Sequence, residues 1–250
     1  MNDKQKVVAI LPSRIESSRL PRKALLDICG LPMIVHVFKR CLLAKKLDEV
    51  YVATDSYEIK EVVEKHGGDV IMTSCNHQTG TDRIAEAAAG LNAEIIVNVQ
   101  GDEALVKPEH IDKVVAEMHD NPDVNVGILV NPFSKRNNPS DIKTVLTQDN
   151  DVMYFSRADI PSDARVSEPP LLKAYHIIPF RKAFLLEYAR WEIGELERIE
   201  FIEFMRILER GHKIRAVLVE SDAVSVDTAE DLEFVRGKML EDPLFPRYKP

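Results

Sequence analysis

The chain contains no apolar run approaching the roughly 18 residues of a membrane-spanning helix, so no span is expected. Cysteine is scarce: three in 250 residues, Cys29, Cys41 and Cys75, with no CxxC pair and no metal-ligand spacing. That excludes a disulfide framework and a thiolate metal site, and predicts free, mostly buried thiols in a reducing compartment. An excess of positive charge is also missing. The formal net charge is -8, which argues against a broad polyanion-binding surface and against nucleic acid as a partner. The opening residues MNDKQK lack the apolar core of a secretory signal, so a cytoplasmic location is expected. No internal repeat, low-complexity tract or linker is visible. A hydrophobic content of 45% is sufficient for the core of one domain.

Against this acidic background stands one dense basic loop. Val7–Leu11 reads as a buried first strand, and residues 10–25, ILPSRIESSRLPRKAL, follow with Arg14, Arg19, Arg22 and Lys23. Ser13, Ser17 and Ser18 are interleaved, and Pro12 and Pro21 keep the stretch from coiling into a helix. At the carboxyl end of a parallel strand such cations supply charge-assisted hydrogen bonds to a polyphosphate. On charge alone, a solvated basic loop is the equal alternative.

Strand and helix then alternate. Helical spacing of Met33, Ile34, Val37, Phe38, Cys41 and Leu42 predicts a helix over 33–45. Strands are expected at 49–54, 69–73 and 94–99, and helices at 57–66 and 81–91. Four such alternations argue for an α/β fold, a mostly parallel twisted sheet flanked by helices. A helix at 108–118 and a strand at 124–130 continue it. The pattern then breaks. Residues 131–142 are polar and Pro/Asn-rich, with extended pieces expected at 143–147, 152–155 and 174–180, helices at 182–190 and 199–210, and strands at 214–219 and 224–226. The reading is one domain over 1–250, with about 131–198 inserted as a small mixed α/β subdomain on the acceptor side, where dimer contacts would also form. The C-terminal segment Leu240–Pro250 is read as a flexible end in preference to a tail packed on a partner.

Two carboxylates share one context. Asp102 follows a strand at a Gly turn, and Asp227 follows another before a helix opened by the capping pattern Thr228–Asp231. Each alone can be a turn residue or a helix cap. Together, opposite the basic loop, they suit a divalent cation, since Mg²⁺ takes a few carboxylates plus phosphate oxygens and water. Residues 73–83, TSCNHQTGTDR, crowd hydrogen-bonding groups around Gly80. They read either as a base-recognition loop at a helix start or as an ordinary polar loop with an N-cap. His77 has no Cys or second His nearby and is rejected as a metal ligand.

The stretches ILPSRIESSRLPRKAL, GLPMIVHVFKR, VYVATD, IMTSCNHQTGTDRIAEA, IVNVQGDE, YFSRADIP and VSVDTAEDLE resemble, in order, the 3-deoxy-manno-octulosonate (Kdo) cytidylyltransferases. The resemblance implies a nucleotide-diphospho-sugar transferase-like, Rossmann-like fold, a homodimer, and transfer of CMP from CTP to an acidic acceptor with Mg²⁺ and release of pyrophosphate. It places Pro12, Ser13, Arg14, Arg19 and Lys23 on the triphosphate, and Asp102 and Asp227 on metal. Thr79, Gly80, Thr81 and Arg83 would lie near the cytidine, and Gln100 where nucleotide and acceptor meet. Arg14, Lys23, Asp102 and Asp227 would carry the chemistry. Glu103, Arg157, Ala174, Ile178, Glu203 and Phe204, with Gln100, would form the acceptor pocket.

Several positions depart from that family's pattern. RLPGKPL is here RLPRKAL, with Arg22 for glycine and Ala24 for proline, and QGDEP ends in Ala104. The family's sugar-binding histidine position is Ala174, its tyrosine position Ile178, and an amide position Phe204. The nucleotide and metal residues match while the acceptor residues do not. The acceptor is therefore expected to be a modified keto-sugar acid in preference to Kdo, with Kdo itself left open and a CMP-phosphonate product as the alternative, and Arg22 would add charge near it or point to solvent. A regulatory relative without chemistry has less need of both carboxylates. A nucleotidyltransferase for another base is opposed only by residues 73–83.

Overall fold

A computed structural model describes residues 5–17, 19–221 and 224–249. The hydroxyl expected of Ser18 and the first four residues lie outside these. The chain divides into two compact units, Met1–Asp112 with Asp222–Pro250, and Lys113–Ser221.

The first unit begins with β1 (Val7–Ser13), every residue of it buried. Short strands β2 (Asp27–Ile28) and β3 (Leu31–Pro32) form a hairpin, and α1 (Met33–Cys41) follows. Next come β4 (Glu49–Thr54), α2 (Tyr57–Lys65), β5 (Asp69–Met72), α3 (Gly80–Ala89) and β6 (Ile95–Val99). The strands of this unit lie in the order β6–β1–β4–β5 and pair in parallel. The apolar run Val7–Leu11 of β1, and β6 with Asn98 as its one polar residue, are what strands buried on both faces require. Because all four strands run the same way, the segments after Ser13, Thr54, Met72 and Val99 emerge on one edge. Pro12 sits inside β1, beyond the last pair with β6 at Ile10↔Asn98, where its missing N–H breaks no bond to that neighbour.

α4 (Pro108–Asp120) crosses into the second unit, which holds β7 (Gly127–Phe133), β8 (Lys143–Leu146), β9 (Val152–Ser156), β10 (Leu171–Tyr175) and β11 (Ile177–Arg181). α5 (Lys182–Tyr188), α6 (Glu195–Glu200), α7 (Met205–Glu209) and β12 (Arg215–Leu218) complete it, and α8 (Ala229–Glu241) returns to the first unit. Three expectations are corrected here. β7 does not extend the first sheet but joins a second, ordered β12–β7–β10–β8–β9, antiparallel to β10 and parallel to β12. The run 174–180 is broken at His176 into β10 and β11. The helix expected over 199–210 is two helices, because Phe201 adopts a left-handed φ of 55° that ends α6.

Two further corrections concern the first unit. No strand forms at 224–226 among the described residues; instead the Val226 N–H donates to the Asp102 carbonyl at 3.1 Å. The C-terminal segment is docked, not loose. Tyr248 Oη lies 3.0 Å from His36 Nδ1 and 2.9 Å from Arg40 Nε, and Arg40 pairs with Asp242 at 2.9 Å. Of the cysteines only Cys41 is buried; Cys29 is half-buried and Cys75 exposed.

Burial makes His36 hard to protonate and lowers its pKa to about 4. Its Nε2 donates to the Ile28 carbonyl at 2.7 Å, which leaves Nδ1 to accept from Tyr248. The unfolded chain takes up this proton near pH 6.5 and the folded one only near 4, so stability is fully present above pH 6.5 and is lost as pH falls through that window. The loss amounts to about 3 kcal/mol at most. Thermal midpoints measured from pH 7 to pH 4 should drop more steeply for the parent than for His36→Gln.

Candidate active site

The loops at the carboxyl edge of the first sheet enclose a cleft of about 280 Å³. Lys23, in a single 3-10 turn at Lys23–Leu25, is its centre. Its Nζ donates to Asp102 Oδ2 at 2.7 Å and to Asp227 Oδ1 at 3.1 Å. Arg19 Nη2 donates to the same Asp227 oxygen at 2.9 Å. Burial opposes the Lys23 charge, but Asp102 and then Asp227 outweigh it and hold its pKa above that of an ordinary lysine.

Backbone contacts align the two carboxylates. The Val226-to-Asp102 bond couples their segments, and the Ser225 hydroxyl donates to Glu103. Gly101 permits the turn to close on β1, since a Cβ there would stand 3.0 Å from the Pro12 carbonyl. Asp227 is followed by α8, where Thr228 and Asp231 form a reciprocal capping box.

The other wall is α3 and the loop before it. Thr79 caps α3, its hydroxyl accepting from the Asp82 N–H at 3.1 Å. Arg83, 4% exposed, donates to Thr73 Oγ1 at 2.6 Å and lies 3.4 Å from Asp55. Gln100 Nε2 donates to Asn98 Oδ1 at 3.0 Å, and Asn98 Nδ2 to Thr81 Oγ1 at 3.5 Å. This fixes the Gln100 amide, whose own oxygen is then the acceptor end.

Of the residues expected here, the structure brings Pro12, Ser13, Arg14, Arg19, Lys23, Thr79, Gly80, Arg83, Gln100, Asp102 and Asp227 onto one cleft. Thr81 does not line it; fully buried, it holds Asn98 from behind. Glu103 is 2% exposed and accepts from the Ser225 hydroxyl, beside both carboxylate segments. Arg22 is turned away to Glu58 on α2. Its φ is 58°, the conformation a glycine takes without strain, and its side chain is 58% exposed.

In the second unit, Arg157 is consumed by the fold. Its guanidinium donates to the carbonyls of Pro139, Glu200 and Phe201 at 2.7, 2.8 and 3.0 Å, because carbonyls of irregular backbone need donors. Ala174, Ile178 and Phe204 are 1, 1 and 4% exposed. Glu203 is half-buried, its carbonyl accepting from Tyr188 Oη at 3.0 Å.

Sequence reasoning missed Asn98, Met33 and Glu16, while Gln78 belongs to the 73–83 loop already singled out. Asn98 had a signal: a lone polar residue in an apolar strand must have a buried partner. Met33 and Glu16 line the cleft with no local mark. His77 also lines it, bound to Glu86.

Asp102 and Asp227 converge on one point, the position of Lys23 Nζ, and both offer hard oxygen donors. Among the described residues no cluster of three or more His, Cys, Asp or Glu exists that could cage a metal. A cation held by this pair would have to complete its shell with water and phosphate oxygens, which is the habit of Mg²⁺.

A parallel sheet whose carboxyl edge presents fixed cations, a capped helix start and paired carboxylates defines a nucleotidyltransferase. Residues 8–214 match the model of the family described as Cytidylyltransferase. The chain is 40% identical over 243 residues to a 3-deoxy-manno-octulosonate cytidylyltransferase of Syntrophus aciditrophicus, covering 94% of this chain and 98% of that one. It is 36% identical over 243 residues to an 8-amino-3,8-dideoxy-manno-octulosonate cytidylyltransferase of Shewanella piezotolerans, covering 94% and 99%. The solved structure of a CMP:2-keto-3-deoxy-manno-octonic acid synthetase complexed with CTP superposes with a TM-score of 0.91 at 36% identity, over 94% of this chain and 99% of that one. The chain belongs to the cytidylyltransferase family, among the CMP-Kdo synthetases, and is a CTP-dependent nucleotidyltransferase. No helix among the described residues is long and apolar enough to cross a membrane.

Proposed function

We propose that the protein transfers CMP from CTP to a keto-sugar acid of the 3-deoxy-manno-octulosonate type, with a modified acid turned over in preference to Kdo itself. The observation that carries the transfer is Lys23 bridging Asp102 and Asp227 beside Arg19. Relatives named for both Kdo and its 8-amino analogue support the acceptor class. The preference for a modified acid rests on Ala174, Ile178 and Phe204. These side chains carry no hydrogen-bonding group where the family is expected to hold sugar hydroxyls, and a hydroxyl left unpaired costs about 1–3 kcal/mol.

Arg14, Arg19 and Lys23 bind the triphosphate, whose negative charge draws the two latter cations from Asp227 and Asp102. Arg83, Thr79 and the start of α3 lie to the cytidine side. The acceptor oxygen attacks the α-phosphorus in line with departing pyrophosphate, whose charge Arg14 and Lys23 meet. Asp102 and Asp227 would hold Mg²⁺. Such an ion would neutralise the triphosphate and lower the acceptor hydroxyl's pKa, its proton passing to solvent without a side-chain base.

We assign the working form as a cytoplasmic homodimer. Ile199 and Phe201, 70% and 83% exposed on the second unit, give apolar surface that a second copy would cover.

The test is pyrophosphate release with CTP, Mg²⁺ and a panel of Kdo, its 8-amino analogue, a deoxy-keto-sugar acid and small phosphonates. The expected result is at least about tenfold higher kcat/KM for a modified acid than for Kdo, the equivalent of one lost hydroxyl partner. Brisk turnover with Kdo alone would overturn the preference, and turnover with phosphonates alone would overturn the acceptor class. UTP or ATP outperforming CTP would remove the cytidine assignment.

A further inference from the structure

We infer that Arg40, with Tyr248 set against it, is a positioning residue for CMP transfer. The buried guanidinium, linked through Tyr248 to His36, ties together the downstream sides of the segments that present Lys23, Asp102 and Asp227. The inference rests on the assignment of those three groups to the reaction.

Arg40 lies on α1, outside the cleft, and is 0% exposed. A charge so placed must have every donor engaged; its own partners come from two stretches, and a third is reached through Tyr248 and His36. Nη1 donates to the carbonyl of Val106, four residues past Asp102, at 3.3 Å. Nη2 reaches Asp242 at 2.9 Å and Met239 Sδ at 3.5 Å, both at the far end of the helix that starts behind Asp227. Nε donates to Tyr248 Oη at 2.9 Å. The same hydroxyl meets His36, whose other ring nitrogen holds the carbonyl of Ile28, five residues past Lys23.

Beneath this node the three stretches share one apolar cluster. Ile28, Ala104, Leu105, Val226 and Met239 are all buried in it, with Phe245 of the C-terminal turn packed alongside. Each group facing the cleft is therefore the front of a segment whose back is pinned at the node. The pins are directional hydrogen bonds, whereas the apolar cluster alone tolerates sliding. Loosening the node lets the Asp102 and Asp227 segments shift past one another, and the bond between them, Val226 N–H to the Asp102 carbonyl, reports that shift directly.

The experiment follows amide exchange at Val226, pyrophosphate release and Mn²⁺ binding in the presence of CTP for three variants. Arg40→Met should speed Val226 exchange at least about tenfold. It should also lower kcat by about tenfold or more, since an error near 1 Å suffices, and weaken Mn²⁺ binding. Arg40→Lys, which keeps the charge near Asp242 but not the fork, should fall between. Tyr248→Phe keeps the ring and loses the hydroxyl, and it decides the matter where Arg40→Met does not fold. A role in stability alone would lower the thermal midpoint and leave Val226 exchange relative to its neighbours, kcat per active site and Mn²⁺ binding as in the parent; that result would overturn the inference. Faster exchange with unchanged kcat would overturn it too. An Asp102→Asn variant with parent activity would instead overturn the site assignment, leaving the exchange result to stand by itself.

Discussion

Asp102→Asn is expected to reduce kcat for pyrophosphate release by about a thousandfold, near 4 kcal/mol of transition-state stabilisation. The substitution keeps the shape of the side chain and removes its charge. Asp102 is the nearer of the two partners of Lys23, at 2.7 Å against 3.1 Å for Asp227. Its neutralisation removes half of the carboxylate pair on which a cation would sit, and the lysine's alignment with it. Asp227→Asn should have a similar effect, and the double variant little more than either alone, because two carboxylates proposed to hold one ion would act as a unit. Their side chains are 23% and 26% exposed, so both variants should stay folded. Thermal midpoints recorded beside the kinetics check that. Activity within tenfold of the parent would show that the carboxylates do not hold the reacting centre.

The second large effect is on the second unit. Arg206→Met should destabilise it by about 3–5 kcal/mol, read as a lowered midpoint in urea. Arg206 and Glu197 are 3% and 6% exposed. Their contact is a two-pronged fork, Nε to Oε2 at 2.6 Å and Nη2 to Oε1 at 2.7 Å. Nη1 donates to the Trp191 carbonyl at 3.1 Å, and the guanidinium lies 4.7 Å from the Tyr188 ring centre. Without Arg206 the Glu197 carboxylate is buried and uncompensated, which is the main source of the loss. Pairing the change with Glu197→Leu should recover most of it, since an apolar pair of similar volume often matches a buried ion pair. A double variant as weak as the single one would place the energy in the Trp191 and Tyr188 contacts instead.

Much of the first unit was legible because its signals are local. An apolar run such as Val7–Leu11 can only be a buried strand or a buried helix segment, and Pro12 excludes the helix. Thr79 and Thr228 announce helix starts through caps that span three residues. The second unit was less legible. Its strands are short and its breaks, at His176 and Phe201, depend on backbone angles that a Phe gives no warning of. The partners of Arg157 were hidden for the same kind of reason: its guanidinium donates to three carbonyls of loops distant in the chain.

What the sequence determined by itself was the parallel α/β class, the basic loop on its carboxyl edge and the two carboxylates that would answer it. Strand periodicity, proline chemistry and caps act over a few residues, and a single chain displays them openly. Tertiary structure alone decided which charges meet. It put Lys23 between Asp102 and Asp227, turned Arg22 outward to Glu58, bonded Thr81 to Asn98 and Glu103 to Ser225, and closed Tyr248 onto Arg40. A buried or half-buried polar group must find a partner. The partner within reach is set by segments distant in the chain, and only their packing brings them together.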